Sequence, residues 1–326
     1  MICIKREHTD PYFNLAAEEY VLKNFREDVF MLWQNDPCIV VGKHQNTWAE
    51  INPVFAWENQ LPVVRRITGG GAVYHDQGNL NFTFVRSGTP GSLVDFKRFT
   101  QPVIEVLAML GVKAEFAGHN SLLIGSRKFS GNAEHVYRNR VLHHGTMLYS
   151  SNLNHLKKAL QTHGERYTDK AVGSVPHRVT NISEYLKNPP DISTFKSLLL
   201  DRMTAKYTGL RMMEFNDRDI DRINSLAENR YKTFTWNFGR ISKYMFHHKI
   251  NTRGNTVDIA FEVNHGIIGK VTVPGGINHP AGVREIEHLL TGVPHHPGFI
   301  RKLLLNTGLY QRFGFTVADD MVRELF

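Results

Sequence analysis

A chain of 326 residues is longer than one hydrophobic core usually spans, so two domains are expected. With 41% hydrophobic and 21% charged residues it has ordinary globular usage; it lacks both the roughly 18-residue apolar stretch of a membrane span and the apolar run of a secretory signal behind Met1. Two cysteines, Cys3 and Cys38, exclude a disulfide scaffold and fit a reducing cytoplasm, while a net charge of +8 favours acidic partners, whether nucleotides, nucleic acid or an acidic protein, without choosing among them; no long Lys/Arg run of the kind nucleic-acid tails show is present.

Residues 14–25 read as a helix with Asn14 at its N-cap. Phe30 to Trp33 and Cys38 to Val41 are buried strands either side of the turn Asn35-Asp36-Pro37, and Leu61 to Ile67 is a third strand running into Gly69-Gly70-Gly71. Ala72 to Tyr74 and Asn79 to Val85 suggest a hairpin around His75-Asp76-Gln77-Gly78. In the latter, Leu80, Phe82 and Phe84 alternate with polar residues, the period of a strand with one buried face. A helix follows over 97–110, with Gly111 where a C-terminal cap belongs. Leu122 to Ile124 and Lys128 to Ala133 form a second hairpin, and Leu142 to Tyr149 a further strand. Helices are predicted near 152–162, 192–207 and 217–231. The polar loop Gly164 to Thr180 is too long for a plain connector and reads as functional. The last portion, a hairpin over Thr256 to Val263 and Ile267 to Val273 with helices near 281–290 and 297–305, is a small α+β unit. The boundary is placed near residue 245, giving domains 1–245 and 246–326.

Three glycines at 69–71 let the backbone turn its N–H groups toward one point, an arrangement that binds anions, and Arg65 and Arg66 add bidentate donors. No Gly-Lys-Ser/Thr follows, so this is not a Walker loop. Lys128 precedes the small-residue strand Phe129-Ser130-Gly131-Asn132-Ala133, against which a ligand can lie, with a charge at hand for a phosphate and a carboxylate. The histidine pairs 143–144, 247–248 and 295–296 do not read as metal sites, because adjacent strand residues point to opposite faces. Cys38, in an apolar run, reads as an inert core thiol.

These residues resemble a known family. Arg65-Arg66-Ile67-Thr68-Gly69-Gly70-Gly71-Ala72-Val73-Tyr74-His75-Asp76, closed by Gly78-Asn79, resembles the lipoate-binding loop of lipoate–protein ligases. Lys128-Phe129-Ser130-Gly131-Asn132-Ala133 is similar to that family's Lys-x-Ser-Gly-x-Ala strand, and His143-His144-Gly145-Thr146-Met147-Leu148 to its His-His-Gly-Thr strand. Phe13-Asn14-Leu15-Ala16 and Gly42-Lys43-His44-Gln45-Asn46 match two earlier segments. Val172-Gly173-Ser174-Val175 with Arg178-Val179-Thr180-Asn181 resembles the adenylate-binding loop, and Trp236-Asn237-Phe238-Gly239 the segment before the small domain.

The resemblance implies an α/β (α+β sandwich) catalytic domain of the biotin/lipoate ligase type with an α+β accessory domain. It implies ATP with Mg2+, and lipoic acid activated to lipoyl-AMP and passed to a lysine of an acceptor lipoyl domain. The acceptor would be a 2-oxoacid dehydrogenase complex or the glycine cleavage H protein, with no nucleic acid or membrane partner. By motif position, Arg66, Gly71, Ala72, Val73, Tyr74, Lys128, Ser174, Val175 and Arg178 would contact ATP or lipoyl-AMP. Gly69, Gly70, Gly71, His75, Lys128, Gly131 and His144 would line the lipoate pocket, with Lys128 the catalytic residue; metal ligands are unassigned. Neither cysteine lies where the superfamily's acyltransferases carry their nucleophile. One departure stands out: Asn120-Ser121 replaces the family's Asn-Asp. It keeps open a transferase that needs preformed lipoyl-AMP, beside a non-catalytic lipoate-binding protein.

Overall fold

The computed structural model describes residues 1–89, 91–252, 255–275 and 280–326. Its strands in chain order are β1 (Ile2–Lys5), β2 (Val29–Trp33), β3 (Cys38–Val41), β4 (Val63–Arg65), β5 (Val73–His75), β6 (Asn79–Ser87), β7 (Ala114–Ala117) and β8 (Ser121–Ile124). There follow β9 (Arg127–Tyr137), β10 (Arg140–Leu148), β11 (Tyr167–Thr168), β12 (Arg211–Met213), β13 (Lys243–Thr252), β14 (Asn255–Asn264) and β15 (Ile267–Gly275). The architecture is the mixed α/β one expected. No helix among the described residues is long and apolar enough to cross a membrane.

Two compact units form, each from separated segments: residues 1–43, 64–157 and 175–232, and residues 44–63, 158–174 and 233–326. In the first, eight strands run in the order β12-β1-β2-β6-β10-β9-β8-β7, and a three-stranded sheet runs β4-β3-β5. β1 lies parallel to β2 and β12, whereas β2, β6, β10 and β9 are antiparallel. Alternation sends Phe30, Leu32, Leu80, Phe82, Phe84 and Met147 to one face, Phe129 joins them at an irregularity of the β8–β9 ladder, and the helices Phe96–Met109 and Ile192–Lys206 close the core through Phe99, Val103, Leu107, Phe195 and Leu199. The other face carries polar side chains, including Thr83 and His144, under the helix Pro11–Asn24.

Several local expectations shift. The first helix starts earlier, because Asp10 caps it by accepting from the Tyr12 and Phe13 amides and Pro11 suits its first turn; Asn14 is inside it. β5 and β6 do not form a hairpin. β5 pairs with β3 and β6 with β2 and β10, and the Asp76 carboxylate redirects the chain by accepting from the Gly78 and Asn152 amides. Gly111 does take a positive φ of 80° after the helix Phe96–Met109. The predicted helix 217–231 ends at Leu226 and continues as one π-type turn, Ala227–Tyr231.

In the second unit β11-β13-β14-β15 form a sheet. Its 233–326 segment is joined by 44–63 and 158–174, so the units do not follow a single cut near residue 245. The reason lies in specific contacts: β11 pairs with β13, and the Trp48 indole donates to the His295 carbonyl and stacks on Phe238 at 4.6 Å.

Candidate active site

The glycine turn is built from behind by Arg66. Val64 and Arg65 are buried in β4, and the chain then leaves the sheet, so the buried Arg66 side chain lies under its own loop. Its guanidinium donates from Nε to Thr68 Oγ1 (2.9 Å) and the Gly69 carbonyl (3.1 Å), from Nη1 to the Val40 carbonyl (3.2 Å), and from Nη2 to the Gly69 (2.6 Å) and Gly71 (2.8 Å) carbonyls. Gly70 has φ 89°, and a Cβ there would come within 2.9 Å of Arg66 Nη2 and 3.9 Å of Ala133 Cβ. The turn therefore needs glycine, and it lies over β9. Arg65 points elsewhere, donating to the Gly42 carbonyl at 2.7 Å.

Lys128 stands at the start of β9. Its side chain passes over Gly131, so close that a Cβ on Gly131 would sit 3.2 Å from Lys128 Cε and 3.3 Å from Nζ. This explains the Lys-x-x-Gly spacing physically: the missing side chain is the channel for the ammonium. The backbone of Lys128 is zipped to the 175–232 segment, with its N–H donating to the Arg178 carbonyl (2.8 Å) and its carbonyl accepting from Thr180 (3.1 Å). Ser121 faces Gly131 across the β8–β9 ladder.

The electrostatics favour an anion. Burial pulls the Arg66 guanidinium down to about 10, with Glu18 opposing, and Arg6 behaves alike. Lys128 is lowered first by burial and then by Arg66. Two buried guanidiniums thus lean on one buried carboxylate, Glu18, and a partly buried ammonium stands beside them. Buried charge seeks compensation, so the cluster is suited to a carboxylate or phosphate.

The histidines take fixed roles. His144 engages Glu18 through Nδ1 (3.0 Å to either oxygen) and Thr68 Oγ1 through Nε2 (2.8 Å), so both nitrogens are occupied by protein. His143 points to the opposite face, with Nδ1 2.8 Å from Glu134 Oε1. His75 is buried and held neutral, its imidazolium suppressed to about 3 by burial, then Arg66 and His144. A second chain orients it. Arg6 donates to Asn14 Oδ1, Asn14 Nδ2 donates to Asn35 Oδ1 (2.8 Å), and Asn35 Nδ2 faces His75 Nδ1 (3.0 Å). That order makes Nδ1 the acceptor and leaves the proton on Nε2, which has no hydrogen-bond partner among the described residues.

Of the residues singled out in the sequence, Arg66, Gly69, Gly70, Gly71, Lys128, Gly131 and His144 converge. Ala72 and Val73 continue the turn into β5, where Val73 pairs with Val40. Tyr74 pairs with Ile39 and is buried, its hydroxyl pushed up to about 12 by burial first. Val175 and Arg178 are exposed. Ser174 belongs to the second unit, where its amide (3.0 Å) and hydroxyl both meet the Glu50 carboxylate. Glu50 and Asp169 there border an open cavity of about 310 Å³. Sequence reasoning missed Glu18, Thr68, Thr83 and Arg6. Glu18 had a usable signal, since it lies four residues after Asn14 on one helix face.

Comparison with known proteins agrees with the residue pattern. Residues 10–204 match the family model of the lipoyl protein ligase A/B catalytic domain, and residues 242–326 that of the bacterial lipoate protein ligase C-terminus. The chain is 38% identical over 317 residues to lipoate–protein ligase 1 of Staphylococcus aureus, covering 97% of this chain and 96% of that one. To the lipoate-protein ligase LplJ of Bacillus subtilis it is 36% identical over 321 residues, 97% of each chain. Among solved structures, a lipoate-protein ligase A bound with ATP aligns with a TM-score of 0.62 at 22% identity, over 74% of this chain and 99% of that one. P. falciparum LipL1 in complex with lipoate gives 0.62 at 22%, over 93% and 94%. These two likenesses speak for the fold.

Proposed function

The chain belongs to the lipoate–protein ligase family, and from that premise we propose how it works. A lipoate carboxylate oxygen attacks the α-phosphorus of ATP, the bond from that phosphorus to the bridging oxygen breaks, and lipoyl-AMP and pyrophosphate form. An acceptor lysine amine then attacks the acyl carbon, forming the amide and releasing AMP and a proton. Lys128 bridges carboxylate and α-phosphate, stabilising charge in both steps. Arg66 acts chiefly by holding Gly69–Gly71 so that backbone N–H groups face the phosphate, with Ala72, Val73 and Tyr74 continuing that wall. His75, Gly131 and His144 border the acyl group. Val175 and Arg178 contact the adenylate.

The single observation that carries this reading is the excess of buried positive charge beside a glycine turn, with Lys128 threaded over Gly131. Mg2+ enters with the triphosphate as part of the substrate. The groups gathered at the turn are the cations Arg66 and Lys128 with one carboxylate, Glu18, which His144 and Thr83 already engage; with Ser121 where a second could have stood, they do not make a protein cage for the ion. The acceptors are lipoyl domains of 2-oxoacid dehydrogenase complexes or the glycine cleavage H protein, the compartment is the cytoplasm, and residues 1–245 carry the ligase chemistry with 246–326 as an accessory domain.

The test incubates the protein with MgATP, lipoate and a lipoyl domain, followed by mass spectrometry of the domain. Lipoylation that needs ATP and disappears in folded Lys128→Ala is expected. Lipoylation only from supplied lipoyl-AMP would favour the transferase reading that Ser121 motivates, and none from either would leave a binding protein.

A further inference from the structure

A continuous line of hydrogen bonds crosses the first unit from the sheet to the glycine turn. Trp33 Nε1 donates to Thr83 Oγ1 at 2.8 Å, and the Thr83 hydroxyl donates to Glu18 Oε1 at 2.6 Å. Glu18 meets His144 Nδ1, His144 Nε2 meets Thr68 Oγ1 at 2.8 Å, and Thr68 Oγ1 accepts from Arg66 Nε at 2.9 Å. Arg66 then holds the carbonyls of Gly69 and Gly71.

The direction of each bond follows from its neighbours. An indole only donates, so the Thr83 proton goes to Glu18. A carboxylate oxygen accepts from Nδ1, so the neutral tautomer of His144 that fits carries its proton on Nδ1 and presents a bare Nε2. The Thr68 hydroxyl donates to that nitrogen, which leaves its lone pair for the Arg66 Nε–H. Glu18, Thr68 and Thr83 are all buried, so no water competes along this line. A polar chain made only to fill a core would have no reason to end on carbonyls of a turn that holds a positive φ.

We propose that Glu18 and Thr68 are positioning residues: Glu18 through His144, and Thr68 by direct contact, fix Arg66 and hold the Gly69–Gly71 turn in its ligand-receiving conformation. Calling the turn ligand-receiving rests on the function proposed above; the holding of the turn does not.

The test uses the full chain and three variants. Thr68→Val keeps the shape and removes the hydroxyl, Thr68→Ser keeps the hydroxyl, and Glu18→Gln turns an acceptor into a donor. With the Gln oxygen retained by Thr83, the amide group takes the place of the second oxygen at Nδ1, so the carboxylate no longer sets the direction of the His144–Thr68 bond. Hydrogen–deuterium exchange without ligand should show amides of residues 66–73 exchanging about tenfold faster in Thr68→Val and Glu18→Gln, one lost hydrogen bond's worth. Thr68→Ser should restore protection, and peptides of β6 and of the helix Phe96–Met109 should not change. The dissociation constant for a non-hydrolysable lipoyl-adenylate analogue should rise about tenfold while kcat at saturation falls far less. The double variant should be no worse than either single one.

Unchanged exchange over 66–73 in Thr68→Val overturns the proposal, as does acceleration spread evenly over the chain, or Thr68→Ser behaving like Thr68→Val. Because the exchange arm needs no substrate, a protein that fails to lipoylate anything still shows whether the turn is held. Should Glu18→Gln not fold, the Thr68 pair decides alone.

Discussion

Gly131→Ala puts the threading of Lys128 to a direct test. Gly131 has no positive φ, so alanine fits its backbone. The added methyl would lie 3.2 Å from Lys128 Cε and 3.3 Å from Nζ, a few tenths of an ångström too close. The neighbour that must move is the free end of a flexible side chain, so the fold yields easily while the ammonium shifts by a few tenths of an ångström. Misplacing a reacting group by about 1 Å can cost 10²-fold, so roughly tenfold in kcat is expected here. Stability should hold or rise, since Gly in a strand costs about 0.5–1 kcal/mol relative to Ala. Pyrophosphate release for the first step and acceptor lipoylation for the second, beside a thermal melt, provide the readout. Turnover within about twofold of the unmutated protein, at full occupancy, would refute the claim that the Lys128–Gly131 contact sets the reacting geometry.

Gly145→Ala gives the contrasting result: a Cβ there would overlap Asn132 Oδ1 and stand 2.5 Å from the Phe82 ring, so a loss of about 2 kcal/mol or more in denaturant unfolding is expected. Arg66→Lys should weaken a lipoyl-adenylate analogue about tenfold or more by calorimetry, because one ammonium cannot reach Val40, Thr68, Gly69 and Gly71 together. Ser121→Asp should raise ATP-dependent pyrophosphate release if a carboxylate limits activation, and unchanged release in an already efficient enzyme would end that idea. Acid should unfold the protein early. His75 and His295 are depressed by burial to about 3 and His296 to about 4, so their contribution is complete above the ordinary value near 6.5 and is lost progressively as pH falls from there toward 3, which denaturant melts across that window will read.

Much of the fold was legible because hydrophobic alternation is local: Leu80, Phe82 and Phe84 announced β6, and Gly111 announced the end of its helix. Partners were less legible, since pairing is a long-range matter. Nothing near residue 73 says that β5 will turn away from β6 to β3, and Ile2–Lys5 and Arg211–Met213 are too short to signal that they lie side by side. At the site, motif spacing brought out Arg66, the glycines, Lys128 and Gly131. It did not bring out Glu18, which is joined to His144 across 126 positions, or show that Arg66 spends its donors on its own loop. Both facts come from tertiary geometry, and a pattern of residue types carries no record of where a donor points.

The divided make-up of the second unit bears on how the protein is made. The Trp48 indole finds its acceptor 247 positions later, at His295. At ribosomal rates of roughly 5–20 residues per second, that delay is on the order of ten to fifty seconds. Throughout it, Trp48 and Ile51, buried in the finished molecule, have none of the 233–326 surface to pack against. Nascent chains of this protein should therefore leave the buried side chains of residues 44–63 without their partners until synthesis is nearly finished, and a ribosome-bound chaperone would be expected to hold on there.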